Sequence, residues 1–136
     1  MANRFNNITT VISATDSVMV NSTYTLFAQI IATDQAICGE LYLQSKLTTG
    51  SASQKYDVYA VCSEDGVIFE DANVANNKLI GTVNFINDTG TYHIYRIPLD
   101  GLSVVSKYMK IALLPASASA GTILAGSMKT VIRSPK

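Results

Sequence analysis

Apolar and polar residues alternate along this chain with a period of two, and neither a sustained heptad nor a long 3.6-residue apolar stripe appears. β-branched and aromatic residues are enriched in the same stretches, as suits a pleated surface half covered by a core. The pattern predicts strands over residues 7–14, 17–32, 36–47, 56–63, 79–86, 91–99, 106–114 and 121–132, with room for a bulge to split one or more of them. Within 56–63, Val58, Ala60 and Cys62 share one face against Asp57, Tyr59 and Val61. Within 106–114, Met109, Ile111 and Leu113 oppose Tyr108, Lys110 and Ala112. Each of these strands therefore has a core-facing side.

Turn signals separate the runs: Asp34-Gln35, Thr49-Gly50-Ser51, Asp65-Gly66, Asn76-Asn77, Asn87-Asp88-Thr89-Gly90, Asp100-Gly101 and Ala120-Gly121. These residues tolerate positive φ or close Asx turns. Pro98 falls where a strand ends and Pro115 just after one, positions that do not ask for an N–H donor. About eight strands with some long connections predict an all-β fold, an antiparallel β-sandwich, with a jelly roll ahead of a seven-stranded immunoglobulin-like sandwich. Residues 1–136 form a single domain in this reading. The first 16 residues, with Phe5, Ile8, Val11 and Ile12 among Asn and Thr, are either an arm that pairs with a neighbour or the first strand of the sandwich. Residues 116–120, all Ala and Ser, read as a loop, and Ser134-Pro135-Lys136 as a frayed end.

Composition narrows the function. The chain is 48% hydrophobic and 15% charged with a formal net charge of zero, which disfavours disorder and charge-driven binding of nucleic acid. No run approaches the roughly 18 apolar residues of a membrane span, and the opening residues lack the basic then apolar order of a secretory signal. The expectation is a product made in a cytoplasm. Cys38 and Cys62 lie in predicted strands without metal-site spacing and read as small buried hydrophobes rather than a disulfide. Asn7-Ile8-Thr9, Asn21-Ser22-Thr23 and Asn87-Asp88-Thr89 match the glycan acceptor pattern, as an Asn- and Thr-rich sequence does by chance.

Catalysis needs a nucleophile, a base and an orienting group, yet His93 is the sole histidine. Alternation places it on a face with Tyr95 and Ile97, against Tyr92, Ile94 and Arg96, which is a structural position more than that of a base or metal ligand. The chain has no Gly-rich phosphate loop and no paired Cys motif. Glu64-Asp65 with Glu70-Asp71 is the densest acidic cluster, but its spacing is not that of a calcium loop. A tight hairpin at Asp65-Gly66, with Val67, Ile68 and Phe69 returning to the core, accounts for the same letters. A glycosidase carboxylate pair is disfavoured by the absence of Trp. The reading is therefore a non-enzyme with no catalytic, cofactor-binding or metal residues and no cofactor. Asp100 is the last acid, while Lys107, Lys110, Lys129, Arg133 and Lys136 follow it. That asymmetry is either a charged pole that steers association or a scatter of lysines over exposed faces.

Residues 57–69, Asp-Val-Tyr-Ala-Val-Cys-Ser-Glu-Asp-Gly-Val-Ile-Phe, continuing through Tyr95-Arg96-Ile97-Pro98-Leu99 to Tyr108-Met109-Lys110-Ile111-Ala112-Leu113, resemble the discoidin and galactose-binding-like jelly rolls. In those folds a strand runs into a Ser-x-Asp-Gly turn followed by an aromatic. The resemblance implies a jelly roll and, as an alternative function, a carbohydrate-binding module. The whole chain resembles the small virion proteins of tailed bacteriophages in its β-rich pattern, its Met-Ala-Asn start, its Asn, Ser, Thr and Ala content and its small-residue apolar C-terminal strand. That resemblance implies a capsid decoration or cement protein that binds the outside of a head lattice and stabilises it, or else a tail or neck component. The implied partners are a major capsid protein and further copies of the chain, as a trimer, with no direct nucleic acid and no membrane, and the implied location is the virion. Low charge and a mean hydropathy of +0.22 suit a component that buries much of its surface in lasting contacts.

Overall fold

The computed structural model describes residues 5–20, 23–33, 38–45, 54–71, 78–85, 91–99, 106–115 and 122–135. The predicted turns at 34–35, 49–51, 76–77, 87–90, 100–101 and 120–121 and the loop at 116–120 lie wholly or partly outside the described residues. Among the described residues the elements are all strands: β1 (Phe5–Val11), β2 (Ser17–Val18), β3 (Thr25–Leu26), β4 (Ile31–Ala32), β5 (Cys38–Ser45), β6 (Gln54–Ser63), β7 (Lys78–Phe85), β8 (His93–Pro98), β9 (Tyr108–Pro115), β10 (Thr122–Ile123) and β11 (Met128–Pro135).

A first sheet runs β1-β11-β5-β8; a second runs β3-β9-β6-β7, with β4 also paired to β9; β10 and β2 form a short ribbon. Every pairing is antiparallel. The chain is an all-β sandwich. Most of its pairings nest, β6 with β7 innermost, then β5 with β8, β3 and β4 with β9, β2 with β10 and β1 with β11, while β6–β9 and β5–β11 pair across that order.

The inner faces follow the alternation. Leu41, Leu43, Ile97, Met128 and Ile132 of the first sheet meet Tyr56, Val58, Ala60, Met109, Ile111 and Leu113 of the second, with Ile12, Met19, Phe27 and Ile31 completing the core. Burying each large aliphatic side chain contributes about 1.5–3 kcal/mol, which offsets the entropy of ordering the strands. On one side the sheets close tightly. A register shift between Val58 and Tyr59 leaves Ile80 as an extra residue in β7, and a Cβ placed on Gly81 would sit 2.7 Å from Ile97 Cγ2. The bulge sharpens the twist that folds β7 over β8.

Three expectations need correction. The predicted strand at 17–32 is three two-residue strands, β2, β3 and β4, because the chain leaves the ribbon before it reaches the edge of β9. The predicted strand at 121–132 breaks into β10 and β11 at a turn where Gly126 takes φ 67° and Asp16 Oδ1 accepts the Ala125 N–H at 2.8 Å. The C-terminal residues Ser134 and Pro135 are paired rather than frayed, in register with Asn6 and Phe5. Of the N-terminal stretch, Phe5–Val11 pairs here with β11 of the same chain.

Candidate interaction surfaces

The outer face of the second sheet carries an apolar row between polar positions such as Asp57, Thr82 and Lys110. Leu26 of β3 pairs with Ala112 of β9, Ala112 with Tyr59 of β6, and Tyr59 with Leu79 of β7, so one apolar row crosses four strands. At about 4.8 Å per strand it spans roughly 14 Å. Its flanks are open, with Leu26 44% and Leu79 52% exposed. Its middle is built up: Val61 and Ala112 are buried beneath Tyr24, Tyr59 and Phe69. Tyr24 meets Tyr59 edge to face with centroids 5.3 Å apart, the geometry the ring quadrupoles favour. Lys110 Nζ lies 4.3 Å from the Phe69 centroid, where the ring face attracts a cation. Burial, and then the hydrogen bond with Tyr24, push the Tyr59 hydroxyl up from its ordinary value.

Beside this row stands the Ser63–Glu70 turn. Asp65 Oδ1 accepts the Val67 and Ile68 N–H groups at 2.8 and 2.9 Å and the Ser63 hydroxyl at 3.1 Å. Gly66, at φ 75°, donates to Ser63 Oγ at 3.0 Å. The Ile68 and Val67 amides hold the Asp65 carboxyl below its usual 3.8. This carboxylate is engaged by backbone donors, and among the described residues no group of three His, Cys, Asp or Glu side chains can hold a metal ion. The expected return of Val67 and Ile68 to the core is corrected: they are 80% and 76% exposed, and only Phe69 packs down. The Asx turn draws their amides toward Asp65 and leaves their side chains in solvent.

The outer face of the first sheet is polar. Glu40, Tyr42 and Arg133, with Cys38, Pro98 and Val131, line a depression of about 280 Å³. The Arg96 guanidinium lies 4.9 Å from the Tyr42 ring centroid, and the hydrogen bond to Glu40, ahead of burial, raises the Tyr42 hydroxyl. Lys129 and Arg133 pair with Tyr42 and Cys38 in register on this face, while Lys110 sits on the opposite outer face of the molecule. The late cations are therefore spread over both faces rather than gathered at one pole. Lys136 lies outside the described residues.

His93 opens β8, half-buried, its ring 6.4 Å from that of Tyr95. Both cysteines are free, Cys62 buried in the core and Cys38 half-buried. Of the three glycan-pattern asparagines, Asn7 is exposed on β1, while Asn21 and Asn87 lie outside the described residues. Sequence reasoning missed Leu26, Leu79 and Tyr24. Each sits on an outer face that alternation labels as solvent-facing, and only the low charge content hinted that an outer face is apolar. No helix among the described residues is long and apolar enough to cross a membrane.

No family model matches the chain and no curated protein matches it. Among solved structures, the chain is similar to one from Bacillus endospore appendages, described as a novel family of disulfide-linked pili. The identity is 14% and the TM-score 0.40, over 96% of this chain and 86% of that one, a likeness too slight to assign a family or a function.

Proposed function

We propose that this protein is a structural binding component of a particle, of the capsid decoration type, which attaches to a major capsid lattice and stabilises it. The observation that carries the reading is the apolar row Leu26-Ala112-Tyr59-Leu79 on the outer face of the second sheet. Aromatic side chains backed by a buried layer, with a polar rim, are the anatomy of an interface core. Tyr and Phe rings held by packing lose little entropy on docking. The likeness of the whole chain to small phage virion proteins supplies the kind of partner.

The test is co-sedimentation of the purified chain with phage heads that lack it. Wild-type chain is expected to pellet with the heads to saturation, and Leu26→Glu/Leu79→Glu to lose at least tenfold in affinity, because two charges would be desolvated at the contact. Both side chains are half-exposed, so the double variant keeps its fold, which circular dichroism checks. Equal binding by the double variant removes the face from the interface. Absence of binding by the wild type, with retention on a glycan array, moves the function to the sugar-binding alternative.

A further inference from the structure

The two sheets have four edges, and three of them are blunted. The β3 and β4 edge is made of two-residue strands. The β7 edge carries a bulge and closes against β8 through Gly81 and Ile97. On β8, the Leu99 N–H bonds the Gly39 carbonyl, so by antiparallel alternation Ile97, Tyr95 and His93 turn their main-chain groups toward β5. Pro98 and Arg96 then face the free side, where proline offers no donor. These are the devices by which sheets avoid pairing with other chains.

β1 has none of them. It is seven residues long, Phe-Asn-Asn-Ile-Thr-Thr-Val, without charge, proline, glycine or a register shift. Among the described residues its one neighbour is β11. The Ile12 N–H bonds the Met128 carbonyl, so Thr10, Ile8 and Asn6 turn their main-chain groups toward β11, and those of Val11, Thr9, Asn7 and Phe5 point to the open side. Ile8, in register with core residue Ile132, is nevertheless 50% exposed, because among the described residues no strand continues the sheet beyond it.

We propose that β1 is a docking edge for a second copy of this chain, joined as an antiparallel β1–β1 pair across a two-fold axis at Ile8. The sequence of the strand is self-complementary about that point. Asn7 meets Thr9 of the other copy, Asn6 meets Thr10, position 5 meets position 11, and Ile8 meets its own copy. Polar positions thus face polar ones and apolar face apolar. The parity also agrees, because the positions that pair through hydrogen bonds, 7 with 9 and 5 with 11, are those whose groups point outward, giving about eight main-chain bonds between copies. The two half-exposed Ile8 side chains cover each other. Lys129 and Arg133 sit one strand back, roughly 14 Å from β11 of the other copy, beyond the screening length of about 8 Å at physiological salt. The product is a two-fold dimer with a continuous sheet, distinct from the trimer that the virion resemblance implies, and it does not depend on the capsid reading.

Analytical ultracentrifugation of the reduced full chain, up to on the order of 100 μM, tests this. The expected mass rises with concentration toward twice the 14.6 kDa of one chain. Thr9→Pro removes only an outward donor, so it is expected to abolish the dimer while keeping a near-wild-type melting temperature; Thr10→Pro breaks the bond to β11 and lowers that temperature. The register is read by Ile8→Cys in a Cys38→Ser background. Non-hydrogen-bonded partners have Cα atoms about 4.5 Å apart, within disulfide range, so oxidation is expected to link two chains through position 8. Thr10→Cys, which faces position 6, is expected not to link. A chain that stays monomeric, sediments as a trimer, or remains dimeric in folded Thr9→Pro overturns the proposal. Should Thr9→Pro fail to fold, absence of the Ile8→Cys crosslink overturns it.

Discussion

Among the described residues Tyr56 is the largest side chain fully removed from solvent, and it carries a phenol into the sandwich core. Burial disfavours the phenolate and pushes its pKa from 10.0 up to about 12. Below pH 10 both folded and unfolded chains keep the proton, and the contribution to stability is constant. As pH rises from 10 to 12 the unfolded chain ionises first, so stability is lost across that window, on the order of 2–3 kcal/mol from this group. The predicted outcome is a denaturant midpoint that falls steeply between pH 10 and about 12 in the wild type and less steeply in Tyr56→Phe. Equal slopes would show that Tyr56 ionises without hindrance in the fold. Residue by residue, alternation grouped Val58, Ala60 and Cys62 on one face of their strand without saying which face is inward, and the structure turns that face into the core. Val67 and Ile68 were misassigned because their placement depends on the carboxylate of Asp65, a polar interaction that an apolar pattern does not record.

Between β7 and β8 the packing depends on a missing side chain. Gly81 faces Ile97, whose Cγ2 would be 2.7 Å from an added Cβ, and a β-branched side chain has little room to turn away. Gly81→Ala is predicted to cost about 1–3 kcal/mol through overpacking, measured as a lowered urea midpoint with unchanged m-value; a neutral effect would mean that the sheets separate freely at this edge. The strands from β5 to β9 were legible because each alternates and is bounded by Gly, Pro, Asn or Asp nearby. Residues 17–32 contain neither Gly nor Pro, and the one local mark between β2 and β3 is Asn21-Ser22, between the Val20 carbonyl and the Thr23 N–H that donates to it at 3.1 Å. The break at Gly126 also left a local signal, a glycine within an otherwise apolar run.

For the whole molecule, a decoration role makes a prediction about the particle. An apolar contact of a few hundred Å² contributes several kcal/mol per copy at about 25 cal/mol per Å², before association costs, and repetition over a lattice multiplies it. Heads assembled without the protein are predicted to release DNA at a lower temperature than complete heads, followed with a DNA-binding dye; superimposable release curves would sink the cement role. What the sequence by itself determined is the all-β class, the division of the central strands into two faces and the presence of a turn at Asp65-Gly66, since each follows from neighbours a few residues apart. What only the tertiary structure decided is which strands pair and which outer faces stay open. β1 lies beside β11 at the far end of the chain, and Leu26, Ala112, Tyr59 and Leu79 form a row only once β3, β9, β6 and β7 are side by side. Period-two alternation marks two sides of a strand but carries no information about its neighbour, and neighbours are chosen by the packing of the whole core.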